Sequence, residues 1–190
     1  MKTPTLITAL LLSAAPLLTA CQTVSPGAII AMADFDPLTV DPANLGFRVT
    51  VPDGVGLRSG DMMLRLSDET ADGPILGTFP LTIGRKRLDS GQARYTGRLS
   101  SEHADAMRSV QARIQRSRKE SGASGTGSFG IELVAACTAS GKLPSPMPVT
   151  ASIKASDGDF IPAIRSSDLP KDLSDASRDA LQSRIRVCAN

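Results

Sequence analysis

Leu45-Gly46-Phe47-Arg48-Val49-Thr50-Val51 decides the fold. Leu45, Phe47, Val49 and Val51 are apolar and alternate with Gly46, Arg48 and Thr50. Successive side chains of a strand point to opposite faces, so this spacing predicts a strand with one buried and one wet face. Pro52-Asp53-Gly54 ends it, because proline and Asp-Gly favour turns.

The same period recurs downstream. Met62, Leu64 and Leu66 alternate with Met63, Arg65 and Ser67, and Ser67 to Pro74 reads as a turn region. Ile75 to Ile83 reads as a third strand with Phe79, Leu81 and Ile83 on one face, followed by a charged connection from Gly84 to Gln92. Ala93 to Leu99 is a fourth, with Arg94, Thr96 and Arg98 outward. Ile131, Leu133, Ala135 and Cys137 share one face of a fifth. Val149, Ala151, Ile153 and Ala155 mark a sixth, and Phe160 to Ile164 a seventh. Short strands with turn-rich connections predict an antiparallel arrangement.

Two segments read as helices. Ser100-Ser101-Glu102 opens the first with a capping serine and an acid in the first turn. His103, Met107, Val110 and Ile114 form its apolar stripe. Ser174 caps the second, whose apolar positions are Leu181, Ile185 and Cys188. The expected fold is therefore α+β: an antiparallel sheet or small sandwich of six to seven strands with two helices.

The ends of the chain carry a different signal. Lys2 precedes an apolar run from Leu6 to Leu18 that has the length of a signal-peptide core and is too short to span a bilayer. It closes on Leu18-Thr19-Ala20-Cys21. This segment resembles the lipobox leader of bacterial lipoproteins. The resemblance covers only the leader, and implies cleavage before Cys21 and lipidation of that cysteine. It divides the chain into a signal peptide at 1–20, a lipidated, turn-rich lead-in at 21–44 and one β-rich domain at 45–190. Gln22, where enteric-type sorting would need Asp to retain the protein in the inner membrane, implies an outer-membrane location facing the periplasm.

In that oxidising compartment the two other cysteines, Cys137 and Cys188, read as a disulfide. The alternatives are two buried thiols or a redox pair, and the sequence holds no C-x-x-C. The bridge is expected to tie the terminal helix to the fifth strand.

Composition narrows the function. The net charge is +2 and falls to +1 without the leader, whose one charged residue is Lys2. That balance gives no electrostatic case for nucleic acid as partner. Five Phe, one Tyr and no Trp argue against an aromatic stacking platform.

Gly125-Thr126-Gly127-Ser128-Phe129-Gly130 matches G-x-G-x-x-G, but it follows a helix and opens a strand, the reverse of a dinucleotide site. It reads as a linker within a flexible stretch from Ser121 to Gly130. His103 is the one histidine, and it sits on an apolar stripe, so it reads as packed and structural. Neither G-x-S-x-G nor S-x-x-K is present, no catalytic residue is assigned, and one His with two paired Cys serves zinc poorly. The Asp-Pro steps at Asp36-Pro37 and Asp41-Pro42, and Asp157-Gly158-Asp159, read as turns rather than metal ligands.

Arg108, Arg113, Arg116, Arg118 and Lys119 load the C-terminal half of the first helix. Cations there offset the helix dipole. They also form a candidate patch for anionic lipid or an acidic protein face.

The expected function is a non-enzymatic envelope lipoprotein, an adaptor or structural partner with no cofactor, held on the membrane through Cys21 and joined to an envelope protein. The alternatives are a periplasmic module for a small or lipidic ligand, which requires an open apolar cavity, and a hydrolase, which requires a pocket-facing His103.

Overall fold

The computed structural model describes residues 35–70, 72–122, 126–155 and 158–189. The expected leader and Cys21 lie outside these residues. β1 (Gly46–Pro52) is the central strand of a five-stranded antiparallel sheet. It pairs on one side with β5 (Gln92–Arg98), beyond which lies β4 (Thr82–Arg87). On the other side it pairs with β8 (Val149–Lys154), and β9 (Ile161–Ser166) completes the sheet. The second sheet sets β2 (Met62–Thr70) between β3 (Gly73–Pro80) and β6 (Thr126–Leu133), both antiparallel to it. A short parallel ribbon joins β7 (Ala136–Thr138) to β10 (Ile185–Val187). Three α-helices complete the described residues: α1 (Ser101–Ser121), α2 (Leu169–Asp172) and α3 (Asp175–Gln182).

Alternation sets the faces of both sheets. Phe47, Val51, Ala93 and Tyr95 are fully buried on the inner face of the large sheet, and Leu64 and Leu66 on that of the small one. These side chains and Met107 and Ile114 of α1 belong to one apolar core. Tyr95 satisfies its buried hydroxyl by donating to the Val55 carbonyl at 3.0 Å.

α1 forms where expected. The Ser100 hydroxyl accepts the His103 N–H at 3.2 Å, and Gly122 ends the helix at φ 64°, a left-handed conformation that favours glycine. The helix lies on β3 and β2. Gly77 of β3 permits that approach, since a Cβ there would sit 2.4 Å from the Phe79 ring and 3.1 Å from Val110.

The lead-in from Phe35 to Asn44 docks on the same helix. The Gln111 amide donates to the Pro37 and Val40 carbonyls at 2.8 and 2.9 Å. Asp36 and Asp41 make turns as expected, accepting the Leu38 and Ala43 N–H groups. Arg108 reaches Asp41 at 2.7 Å, and that hydrogen bond, helped by the Ala43 N–H, holds the Asp41 carboxyl below its ordinary pKa.

The α+β class and the antiparallel sheets match the reading of the sequence, but ten strands replace seven among the described residues. Two expected strands are each divided. The third breaks at Leu81, where the chain leaves the small sheet as β3 and enters the large one as β4. Leu81 is itself buried, so an unbroken apolar alternation hid a change of sheet. The fifth breaks at Val134 and Ala135, whose N–H groups both point to the Asp61 carbonyl.

Other stretches read as loops are paired. β2 runs through Ser67 to Thr70, and β3 begins at Gly73. β4 takes in Gly84 to Arg87, and Thr126 to Gly130 begins β6.

The last strand replaces the end of a helix. α3 stops at Gln182, and Ile185 to Val187 becomes β10. Cys188 is therefore not on a helix, and its disulfide with Cys137 ties β7 to the end of β10, with Cα atoms 4.9 Å apart. A three-residue strand has few ladder bonds of its own, so external ties hold it. Arg186 donates to both carboxylate oxygens of buried Asp61, at 2.6 and 2.7 Å. Gly56 bridges to Cys137 with two backbone hydrogen bonds of 2.8 Å, and a Cβ at Gly56 would lie 2.5 Å from the Cys137 Sγ.

The disulfide closes a sequence separation of 51 residues. Replacing both Cys137 and Cys188 by Ser is expected to lower stability in urea unfolding by about 4 kcal/mol, the chain-entropy value for a loop of that size. Reducing agent should bring the wild type to the same midpoint while leaving the double variant unchanged.

Candidate functional site

The two sheets meet closely where β3 passes into β4, because a single residue, Leu81, links them. On the far side the terminal strands are β9 of the large sheet and β6 of the small one, which share no ladder. The seam between them opens as a cleft of about 480 Å³. This falls in the size range of small-ligand sites.

Each wall follows from strand alternation. Val49, Val149, Ala151 and Ile164 come from the large sheet, and Met62, Ile131 and Leu133 from the small one. Leu169, Leu173 and Leu181 close the third side from the α2–α3 segment. Ser174 begins α3 as expected, its hydroxyl accepting the Ser177 N–H at 3.2 Å. Leu181 of α3 is buried against the cleft while Ala180 beside it is exposed at the rim.

Three charged residues line the cleft: Glu132, Asp172 and Arg184. Glu132 faces Arg65 at 3.7 Å. Asp172 accepts the Ser166 hydroxyl at 2.5 Å. Arg184 is exposed and makes no ion pair among the described residues. Asp172 likewise makes no ion pair among the described residues, so Arg184 is the one cation of the lining and stands beside an acid held only by a hydroxyl.

Asp168 holds the α2–α3 segment to the spacer before β8. Its carboxylate accepts the Met147 N–H at 3.0 Å and the Ser145 hydroxyl at 2.9 Å, and Lys171 stands at 3.1 Å. Burial alone would raise its pKa, but these donors together outweigh burial and hold it below the ordinary carboxylate value.

The residues singled out from sequence lie elsewhere. Cys137 and Cys188 are in the ribbon, bonded to each other. Arg108 and Arg118 are engaged by acids, Arg108 by Asp41 and Asp105 and Arg118 by Asp68. Asp68 is 1 % exposed and Arg118 grips it through Nε and Nη2, a fork that balances the buried charge. Arg113, Arg116 and Lys119 are exposed and make no ion pair among the described residues.

His103 does not line the cleft, and its buried Nδ1 has no hydrogen-bond partner among the described residues. The G-x-G-x-x-G stretch, from Thr126 on, is a strand paired to β2. Gly125 and Asp157 lie outside the described residues. Among the described residues no three His, Cys, Asp or Glu side chains gather as metal ligands. No described helix is long and apolar enough to cross a membrane.

Sequence reasoning missed the cleft because it is a gap between two sheets. Its local signal was the recurrence of Leu169, Leu173 and Leu181 around a capping serine, which reads equally well as core. No protein-family model matches this chain, and no curated protein or solved structure matches it at a significant level.

Asp168→Asn should loosen the α2–α3 segment, with a sign that pH reveals. A depressed carboxylate pKa stabilises the fold above the unfolded-state value, about 3.9, and that stabilisation is lost as pH falls through the folded value. Urea unfolding is expected to show the wild type more stable than the variant at pH 7 and the gap narrowing once the pH drops below about 4.

Proposed function

We propose that this chain is an envelope-anchored binding module for a small amphiphile with an apolar body and an anionic head. The observation that carries the reading is the open cleft of about 480 Å³, walled by aliphatic side chains with Arg184 uncommitted at its edge. Apolar clefts with few polar groups take ligands by excluding water from both surfaces, and the polar group sets orientation. Arg184 suits a carboxylate or phosphate head, which a guanidinium binds through paired N–H donors.

An adaptor without a ligand needs an exposed surface and no internal opening. The cleft therefore ranks the binding module first. A hydrolase built on a Ser-His-Asp arrangement would need His103 in the cleft, and the lining residues do not include it.

The anchor is part of the proposal. Leu18-Thr19-Ala20-Cys21 supports cleavage before Cys21 and acylation of its thiol and new amino terminus. More than one acyl chain is needed for stable anchoring, at about 0.8 kcal/mol per buried methylene. The address is the outer membrane, with the domain facing the periplasm.

A fluorescent dansyl fatty acid tests the cleft. The chain is expected to bind it, and Ala180→Trp, which fills the rim, should weaken binding about tenfold or more. Arg184→Gln should weaken the fatty acid about tenfold and leave the corresponding fatty alcohol unchanged. Equal affinity in all three proteins would refute the site.

Metabolic labelling with a palmitate analogue tests the anchor separately. Wild-type protein should carry label in the membrane fraction, and Cys21→Ser should carry none.

A further inference from the structure

The large sheet has a second face. Side chains opposite one another across a ladder share a face. Arg48 stands opposite Thr96 and Ser152, and Thr50 opposite Arg94 and Thr150. Arg94 stands opposite Lys86, Thr150 opposite Arg165, and Gly46 lies between Arg98 and Lys154. Six cations, Arg48, Lys86, Arg94, Arg98, Lys154 and Arg165, thus occupy one face, and no paired residue on it is acidic. The whole chain carries only +2, so the residues off this face are net negative and the positive charge is segregated.

Among the described residues this face has no ion-pairing acid. None of the six makes an ion pair among the described residues. The Nε atoms of Arg48 and Arg94 are buried with no hydrogen-bond acceptor among the described residues. The Arg48 guanidinium instead lies over the Phe160 ring, 3.8 Å from its centre. Lys86, Arg98 and Arg165 are exposed, and Arg48, Arg94 and Lys154 half-buried.

We propose that this face docks on the phosphate headgroups of an anionic lipid surface. The complementarity is one of sign and of shape. The charges spread across five strands, about 19 Å at the usual spacing, rather than converging on one point. A single phosphate in a pocket needs convergence; a surface of headgroups takes charges spread apart.

The choice of a bilayer over an acidic protein rests on the anchor proposed above. Thirteen residues, Gln22 to Asp34, separate the proposed lipid site from the described fold. They span at most about 45 Å, so the tether holds the domain beside headgroups at high local concentration. The long stems of Arg and Lys, with Phe160 among them, suit a surface that is apolar just below its charges.

The test uses the chain from Gln22 onward, which keeps every described residue and carries no lipid. Flotation with phosphatidylcholine vesicles containing phosphatidylglycerol should carry the protein, and pure phosphatidylcholine should not. Binding should fall as the screening length shrinks from about 10 Å at 0.1 M salt to about 3 Å at 1 M.

Lys86→Gln, Arg98→Gln and Arg165→Gln together should weaken it about a hundredfold, at about fivefold per charge. Arg113→Gln, Arg116→Gln and Lys119→Gln on α1 remove the same net charge from another surface and should change it less than about fivefold. Equal losses in the two variants would mean a net-charge effect and overturn the assignment, as would absence of binding to the anionic vesicles. Retention on immobilised polyglutamate without vesicle flotation would replace the lipid surface by an acidic protein. Because the tested chain lacks the anchor, failure of Cys21 labelling in cells with flotation intact would remove the anchor and leave the face.

Discussion

β1 is hydrogen-bonded along both edges, and that constraint sets the rest of the molecule. A central strand cannot slip by one residue without turning its apolar side chains to water and Arg48 into the core. Its register therefore fixes those of β5 and β8, and through them β4 and β9. The inner face it defines supplies Val49 to the cleft, beside Val149 and Ala151 of its neighbour. The outer face gathers the cations. The two proposed surfaces are the two sides of one ladder.

The C-terminal segment is held by a different kind of force. β7 and β10 are too short to hold by pairing alone, so the covalent Cys137–Cys188 bond and the Asp61–Arg186 pair fasten them. Asp61 also receives the chain at the break between β6 and β7 through its carbonyl. One buried acid thus organises the end of the small sheet and the end of the chain. The α2–α3 segment lies between these ties and the Asp168 staple, so its two ends are pinned while its middle forms one wall of the cleft.

Strand periodicity was legible wherever one face is buried and the other wet. β1, β5 and β8 follow their alternation to within a residue. The reading failed where tertiary demands override local pattern. Leu81 continues the apolar alternation of Phe79 and Ile83, so a change of sheet left no mark in the sequence. Asp68 looked like a turn residue because a buried carboxylate in a strand needs a partner, and Arg118 is fifty residues away. Thr126 to Gly130 lacks apolar residues on most positions, because β6 is an edge strand with much of this stretch exposed. Cys188 pairs with Cys137 but follows a strand rather than lying on a helix, because the helical spacing of Leu181, Ile185 and Cys188 is interrupted where Ser183 ends α3.

The basic residues show how a near-neutral composition conceals a charged surface. The run on α1 is conspicuous in sequence, yet Arg108 is engaged by the exposed Asp41 and Asp105 and Arg118 by the buried Asp68. The cations of the large sheet are scattered from Arg48 to Arg165, and only strand pairing brings them together. Arg48, Arg94, Arg98 and Lys154 read in sequence merely as polar partners in an alternation, Lys86 falls in a stretch that reads as a charged connection, and Arg165 lies just past the seventh expected strand. Placing six such residues on one face without an acid costs mutual repulsion across adjacent strands, where like charges destabilise a sheet. The interposed Thr50, Thr96, Thr150 and Ser152 separate several of these charges, and the stack of Arg48 on Phe160 draws one guanidinium onto an aromatic ring. Repulsion softened in this way is tolerable in water and becomes attraction beside a negative surface, so the face gains most where a tether keeps such a surface near.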